Sequence, residues 1–280
     1  MDTRPIGIFD SGVGGLTVFK ELHALMPHED FIYFGDTGRV PYGTRSRETI
    51  LKYASEDMAF LLSHGVKMVV AACGTASAVL TNKETDRLPV PYTGVIIPSA
   101  QAAAVATSTG NVGVIGTPAT VRSGAYGRAM RNVRSDIKVT GHACPLFVPL
   151  VEAGMFEEGN PVARELAKIY LSPFLGSTVD TLILGCTHYP MLAGLIGKML
   201  GPGIRLINPG AETARYTLNH LMARGMLQDP AHQGISRYYC TDSPEGFAEV
   251  AEKFFGSFDA SQVTRVELEE LSALSKEEAP

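Results

Sequence analysis

Met68-Val69-Val70-Ala71-Ala72-Cys73-Gly74-Thr75 and Leu182-Ile183-Leu184-Gly185-Cys186-Thr187-His188 are the two stretches from which the rest of this chain can be read. Each is an apolar run of strand length that ends on a cysteine and passes into Thr and a predicted helix start, and the two cysteines stand 113 residues apart. A similar offset of 106 residues carries Ile6-Gly7-Ile8-Phe9-Asp10-Ser11-Gly12 onto Val112-Gly113-Val114-Ile115-Gly116-Thr117-Pro118. Nearly continuous apolar runs mark strands buried on both faces of a parallel sheet. Repeated twice, the pattern predicts two βαβ-type halves, each presenting one cysteine at the carboxyl end of a strand, where open α/β sheets bind ligands in a shared cleft.

Outward from these stretches the same alternation continues. Further strands are predicted at Phe31 to Phe34, Ile137 to Thr140, Ile204 to Ile207 and Ser236 to Tyr239. Leu16, Phe19, Leu22 and Met26 recur at helical steps, as do Ile50, Ala54, Met58 and Leu61 behind an N-cap at Ser46. Pro161 to Leu171 repeats the pattern, with proline in a first turn. The fold class is therefore α/β, with two pseudo-symmetric domains built on mostly parallel sheets and the site in the cleft between them. Breaks near Pro98 and at Asn208-Pro209-Gly210 divide the chain into residues 1–97 plus 208–280, carrying Cys73, and residues 98–207, carrying Cys186. The segment from Glu267, with Glu269, Glu270, Glu277 and Glu278, is expected to be a solvated, frayed end.

Composition narrows the function. Of 280 residues 45% are hydrophobic and 19% charged, while 29 glycines and 17 prolines fall below the share typical of low-complexity disorder. A formal net charge of −5 argues against a surface made to hold nucleic acid or an anionic membrane, and leaves a small anionic substrate open. No apolar run approaches the ~18 residues of a membrane span, and the start of the chain lacks a basic and then long apolar signal pattern, so a cytoplasmic location is expected. Four cysteines, Cys73, Cys144, Cys186 and Cys240, are too few for a disulfide scaffold.

Gly12-Val13-Gly14-Gly15 is a poor dinucleotide fingerprint, since it lacks the third glycine and follows Asp10-Ser11 where a pyrophosphate would sit. A tight turn alone explains the glycines; Asp10, an acid at the end of an apolar strand, needs a partner or a task. The loop from Gly35 to Ser46 reads either as an exposed connection held by an Asp–Arg pair or as a ligand-contacting segment. A lone cysteine after a strand is more often core than catalyst. Two in matched settings fit neither a zinc site nor a dithiol redox motif, both of which need paired cysteines such as Cys-x-x-Cys. What remains for two facing thiols is acid–base work on opposite sides of one carbon, with one a thiolate and the other a thiol, each favoured by the start of the helix that follows. His188 is placed to assist Cys186. Thr117, Thr120 and Ser123 sit where hydroxyls either cap a helix or hold a carboxylate. Cys144 and Cys240 lack such settings and read as core.

Taken together, IFDSGVGGLTV, YFGDTGRVPYGTRS, AACGTASA, GVIGTPATVRS and LGCTHYPML, in this order and spacing, resemble the motifs of bacterial glutamate racemases in the aspartate/glutamate racemase superfamily; the likeness spans Ile6 to Pro209. That resemblance implies two pseudo-symmetric α/β domains and a cofactor-independent, metal-free interconversion of L- and D-glutamate that supplies D-glutamate for peptidoglycan. It implies that Cys73 acts on D-glutamate and Cys186 on L-glutamate, with Asp10 and His188 assisting. It places substrate contacts at Asp10, Ser11, Pro41, Tyr42, Gly43, Gly74, Thr75, Thr117, Thr120, Thr187 and His188. Members are often homodimers, and nothing in this sequence selects a contact face. The family usually has Asn where Gly74 stands and Ala where Gly38 stands. Loss of a buried hydrogen bond of that kind is worth about 1.5–3 kcal/mol, an order of magnitude or more in affinity or turnover. A racemase of aspartate or broader range, or a non-catalytic binder of acidic amino acids, is the alternative reading; a superfamily decarboxylase, which resembles this pattern with one thiol absent, fits less well.

Overall fold

A computed structural model describes residues 1–277, with side chains through residue 275. Among the described residues there are ten strands, β1 Ile6–Asp10, β2 Phe31–Gly35, β3 Met68–Ala71, β4 Tyr92–Gly94, β5 Asn111–Gly116, β6 Lys138–Ala143, β7 Thr181–Leu184, β8 Arg205–Ile207, β9 Ser236–Cys240 and β10 Val263–Arg265. They form a six-stranded sheet in the order β10-β9-β2-β1-β3-β4 and a four-stranded sheet in the order β6-β5-β7-β8. Every pairing is parallel. The order β2-β1-β3-β4 in the first sheet reappears as β6-β5-β7-β8 in the second, which is the internal duplication seen in the sequence offsets. β1 corresponds to β5 and β3 to β7, so the two cysteines follow equivalent strands.

The central strands β1, β2, β3 and β7 are buried along their whole length, as unbroken apolar runs require. The edge strand β6 is largely exposed and correspondingly polar. Two short strands had no signal in the sequence. β4 is three residues long and follows Pro89 and Pro91, and β10 is three residues of mixed polarity, too short for any period to register.

Helices fill the connections. Leu16–Leu25 buries Leu16, Val18, Phe19 and Leu22. Arg47–Ser63 begins at Ser46, whose hydroxyl accepts from the Thr49 amide at 3.2 Å, and Pro161–Leu171 begins at Asn160 with its proline in the first turn. The segment expected to fray is instead a helix, Leu268–Glu277, laid along Arg47–Ser63 with Leu271 fully buried and Leu268 and Leu274 packed on the same cluster. Its acids read as a solvated end because three leucines among them are too few to show a stripe; Glu278 lies outside the described residues. Among the described residues no helix is long and apolar enough to cross a membrane.

Candidate active site

The carboxyl ends of β3 and β7 face a common cavity of about 350 Å³ between the two sheets, lined by Cys73, Gly74 and Thr75 from one side and Gly185, Cys186, Thr187 and His188 from the other. The loop after β1 adds Ser11 and Gly12, the loop after β2 adds residues 40–44, and the turn after β5 adds Thr117 and Pro118. Of the predicted contact residues, Ser11, Pro41, Tyr42, Gly43, Gly74, Thr75, Thr117, Thr187 and His188 therefore all reach one chamber. Asp10 and Thr120 do not line it and sit one layer behind. Thr120 Oγ1 lies 3.0 Å from Thr117 Oγ1, and Thr117 both caps helix Pro118–Ser123 and meets Thr75 Oγ1 at 3.0 Å across the cleft. Ser123 bonds back to the Thr120 carbonyl at 2.6 Å, so capping and closing the turn accounts for it.

Cys73 stands at the start of helix Gly74–Val79, with the Ala76 amide donating to Sγ at 3.4 Å and Sγ donating to Ser11 Oγ at 3.5 Å. Burial, reinforced by the negative charge at Asp10, pushes its thiol up to about 12, so Cys73 rests protonated. Asp10 Oδ2 accepts the amides of Gly15 at 2.9 Å and Gly12 at 3.2 Å, while Oδ1 is buried with no partner. Burial raises the carboxyl's pKa against the pull of the His188 charge and those amides. The glycine turn thus folds around a carboxylate rather than a phosphate.

Cys186 differs from expectation in one respect. No helix begins at it: Thr187 and His188 form a turn, Tyr189–Leu192 is a 3₁₀ turn, and the helix Ala193–Leu200 starts only beyond that. Pro190 and the preceding turn postpone the helix, so its dipole does not act on this sulfur. His188 takes that place. Its Nδ1 lies 3.8 Å from Cys186 Sγ and its Nε2 3.0 Å from Glu152 Oε1. Burial opposes a charge on the ring, but the hydrogen bonds to Cys186 and Glu152 outweigh it and raise the pKa to about 10. The ring is an imidazolium near neutrality, with its charge set beside the Cys186 sulfur. One side of the chamber therefore offers a neutral thiol and the other a sulfur with a cationic partner.

Glu152 escaped the sequence reading, together with Pro145, Val148 and Pro149 from the same wall. It ends the short apolar helix Phe147–Glu152, and one acid after five apolar residues was the only sign of it. Lys253 fixes this corner by donating to the Glu152 carbonyl at 2.7 Å. The loop after β2 satisfies both of its readings. Arg39 pairs with Asp36 at 2.7 Å and the same loop delivers Pro41 to Thr44 to the cavity wall. Cys144 and Cys240 are fully buried away from the chamber, as core. Among the described residues no group of three or more His, Cys, Asp or Glu could hold a metal ion.

Residues 15–217 match the family model for Asp/Glu/hydantoin racemase. The chain belongs to that family. Within it, the glutamate racemase of Geobacter metallireducens is 46% identical over 256 residues, covering 91% of this chain and 94% of that protein. The crystal structure of glutamate racemase from Thermus thermophilus in complex with beta-chloro-D-alanine superimposes with a TM-score of 0.86 at 44% identity, over 96% of this chain and all of that one. That of the Francisella tularensis enzyme in complex with D-glutamate gives 0.88 at 36% identity over the same shares. As in those racemases, the fold is α/β with parallel sheets in two sets.

Proposed function

We propose that this racemase interconverts L- and D-glutamate by a two-base proton transfer between Cys73 and Cys186, without cofactor, and so provides D-glutamate for cell-wall peptidoglycan in the cytoplasm. One observation carries the reading: both sulfurs line one chamber of small-molecule size, from equivalent strands of the two sheets; we assign the two halves to residues 1–97 with the chain from 208 onward and to residues 98–207. In the L-to-D direction the Cys186 thiolate takes the α-proton and becomes a thiol. The electron pair left on the α-carbon is stabilised by nearby donors, and the Cys73 thiol gives its proton to the opposite face and becomes a thiolate. The reverse direction exchanges the roles. Asp10 and His188 hold the charge state of the sulfur each adjoins, and Glu152 keeps His188 cationic. The polar groups of Ser11, Thr75, Thr117 and Thr187 and the Gly43 and Gly74 backbones are the groups placed to bind the amino acid. The relatives named for glutamate, and the neighbour that holds D-glutamate, favour this substrate over aspartate or a broader range.

Proton NMR of each enantiomer in deuterium oxide with no added cofactor tests the reading. The α-proton signal of both L- and D-glutamate is expected to vanish as polarimetry shows inversion. Cys73→Ser and Cys186→Ser are each expected to abolish inversion. Full racemisation by both single variants would falsify the two-thiol mechanism, and inversion of aspartate alone would replace the substrate.

A further inference from the structure

The imidazole of His188 rests on the glycine turn that follows β1. A β-carbon added at Gly14 would lie 2.3 Å from His188 Cε1, 2.5 Å from its Nδ1 and 2.6 Å from Thr187 Oγ1. All three are closer than real β-carbons approach other heavy atoms, so the ring and its neighbour fill the space that a side chain at position 14 would need. The ring has little freedom to yield. Its Nε2 is held 3.0 Å from Glu152 Oε1, the Phe254 ring stands edge-on with centroids 6.2 Å apart, and the residue is buried. Pushed off Gly14, the ring could not keep both the carboxylate on one nitrogen and the Cys186 sulfur 3.8 Å from the other.

Thr17 holds the backbone of the same turn. Its hydroxyl donates to the Thr187 carbonyl at 2.7 Å and shares that proton with the Gly14 carbonyl at 3.0 Å. The Gly14 carbonyl also accepts the Thr17 amide at 3.1 Å, which joins the glycine turn to the start of helix Leu16–Leu25. The Thr187 carbonyl belongs to the peptide that leads into His188, so this bond fixes the main chain from which the ring springs. One support acts on the ring and the other on its backbone, and both come from four consecutive residues of the opposite half.

We infer that Gly14 and Thr17 are positioning residues for His188: the glycine turn and helix start of one half seat the Thr187–His188 turn of the other so that the imidazole meets Cys186. The inference rests on the two-thiol reading, in which His188 serves that sulfur, and adds a dependence to it. The cation beside Cys186 is put together only when the two halves are closed on each other. Neither Gly14 nor Thr17 lines the chamber, so a loss on changing them must pass through what they hold.

The test is a double-mutant cycle on racemisation of both enantiomers of glutamate. Gly14→Ala and Thr17→Val are each expected to lower kcat near neutrality by about tenfold to a hundredfold with KM within about threefold, since a displacement near 1 Å can cost about a hundredfold. In a His188→Asn background, where there is no ring to misplace, the same changes are expected to cost less than about threefold. Thr17→Ser, which keeps the hydroxyl, is expected to stay within about threefold of wild type. The pH profile gives a second readout. The titratable groups facing the ring are Cys186, Glu152 and Asp10, with Lys253 turned to the Glu152 carbonyl. A ring lifted from Cys186 and Glu152 loses the bonds that favour its charge, so the alkaline limb near pH 10 is expected about one pH unit lower or more in both variants and unmoved in Thr17→Ser. Turnover within about threefold of wild type in Thr17→Val and Gly14→Ala would show that the contacts position nothing. Equal losses with histidine and with asparagine at position 188 would show a defect that bypasses the ring, and so would a loss of turnover with the alkaline limb unmoved. Gly14 does not adopt positive φ, so its backbone is open to alanine; should that variant fail to fold, Thr17→Val, which keeps the side chain's shape, decides alone. A wild type that inverts no amino acid removes the two-thiol reading and this inference with it, whereas an active wild type beside an equally active Thr17→Val removes only the inference.

Discussion

At His188 a single imidazole faces a sulfur through one nitrogen and a carboxylate through the other, and both partners are best served by an N–H. The ring's folded pKa, near 10, lies above the ~6.5 of an exposed histidine. A raised value means the charged form is the one folding favours, so its contribution to stability is complete below about pH 6.5 and fades as pH rises through about 10. Turnover should fall over the same alkaline range. His188→Asn is expected to lower kcat about a hundredfold near neutrality and to remove the alkaline limb near pH 10; a profile that keeps the limb would assign it to another group. The histidine itself was legible because it stands two residues from Cys186. Its charge was not, since that depends on Glu152, 36 residues away in sequence and joined only by the fold.

The segment between β2 and helix Arg47–Ser63 is held from beneath by that helix. Arg39 reaches Asp36, Glu56 and, at 3.1 Å, Asp57, while the Tyr42 hydroxyl contacts both Asp36 and, at 2.9 Å, Asp57. Burial, aided by the charge at Asp36, pushes the pKa of Asp57 well up. For a carboxyl raised in this way the favourable neutral form is fully available below its unfolded value near 4 and is lost as pH climbs toward the folded value. Asp57→Asn, which keeps a neutral polar group at this place, is expected to keep stability within about 1 kcal/mol and to lose less of it than wild type as pH rises above about 4 in urea titrations. Arg39→Ala leaves buried carboxylates without their cation and is expected to cost about 3–5 kcal/mol, measured the same way, with a weaker hold on the wall formed by Pro41 to Thr44. Only the Asp36–Arg39 half of this cluster could be read from the sequence. Glu56 and Asp57 lie on a helix whose acids look like an ordinary wet face until the loop folds over them. Helix Leu268–Glu277 was misread for a similar reason, and Leu271→Ala should cost about 2–5 kcal/mol in the same titrations despite its place near the end of the chain.

Across the whole molecule, what the sequence made legible was whatever is repeated. Apolar strands, the cysteines at their ends and the duplication itself all leave local signals that occur twice. What it hid was whatever forms only where the halves meet: Thr17 donating to the Thr187 carbonyl at 2.7 Å, Thr75 against Thr117, and Gly74 under Gly185. The order of the strands adds a temporal consequence. Residues forming the four-stranded sheet are contiguous in the chain, but the six-stranded sheet waits for β9 and β10, which leave the ribosome after all four of those strands. During translation the later half can be finished while the earlier one is still short of two strands at one margin, with β2 presenting an open edge. A nascent chain stalled near residue 245, with β8 out of the exit tunnel and β9 still within it, should accordingly resist protease across residues 111–207 and be cut readily around β2, so that one wall of the chamber stands ready before the other has its full sheet behind it.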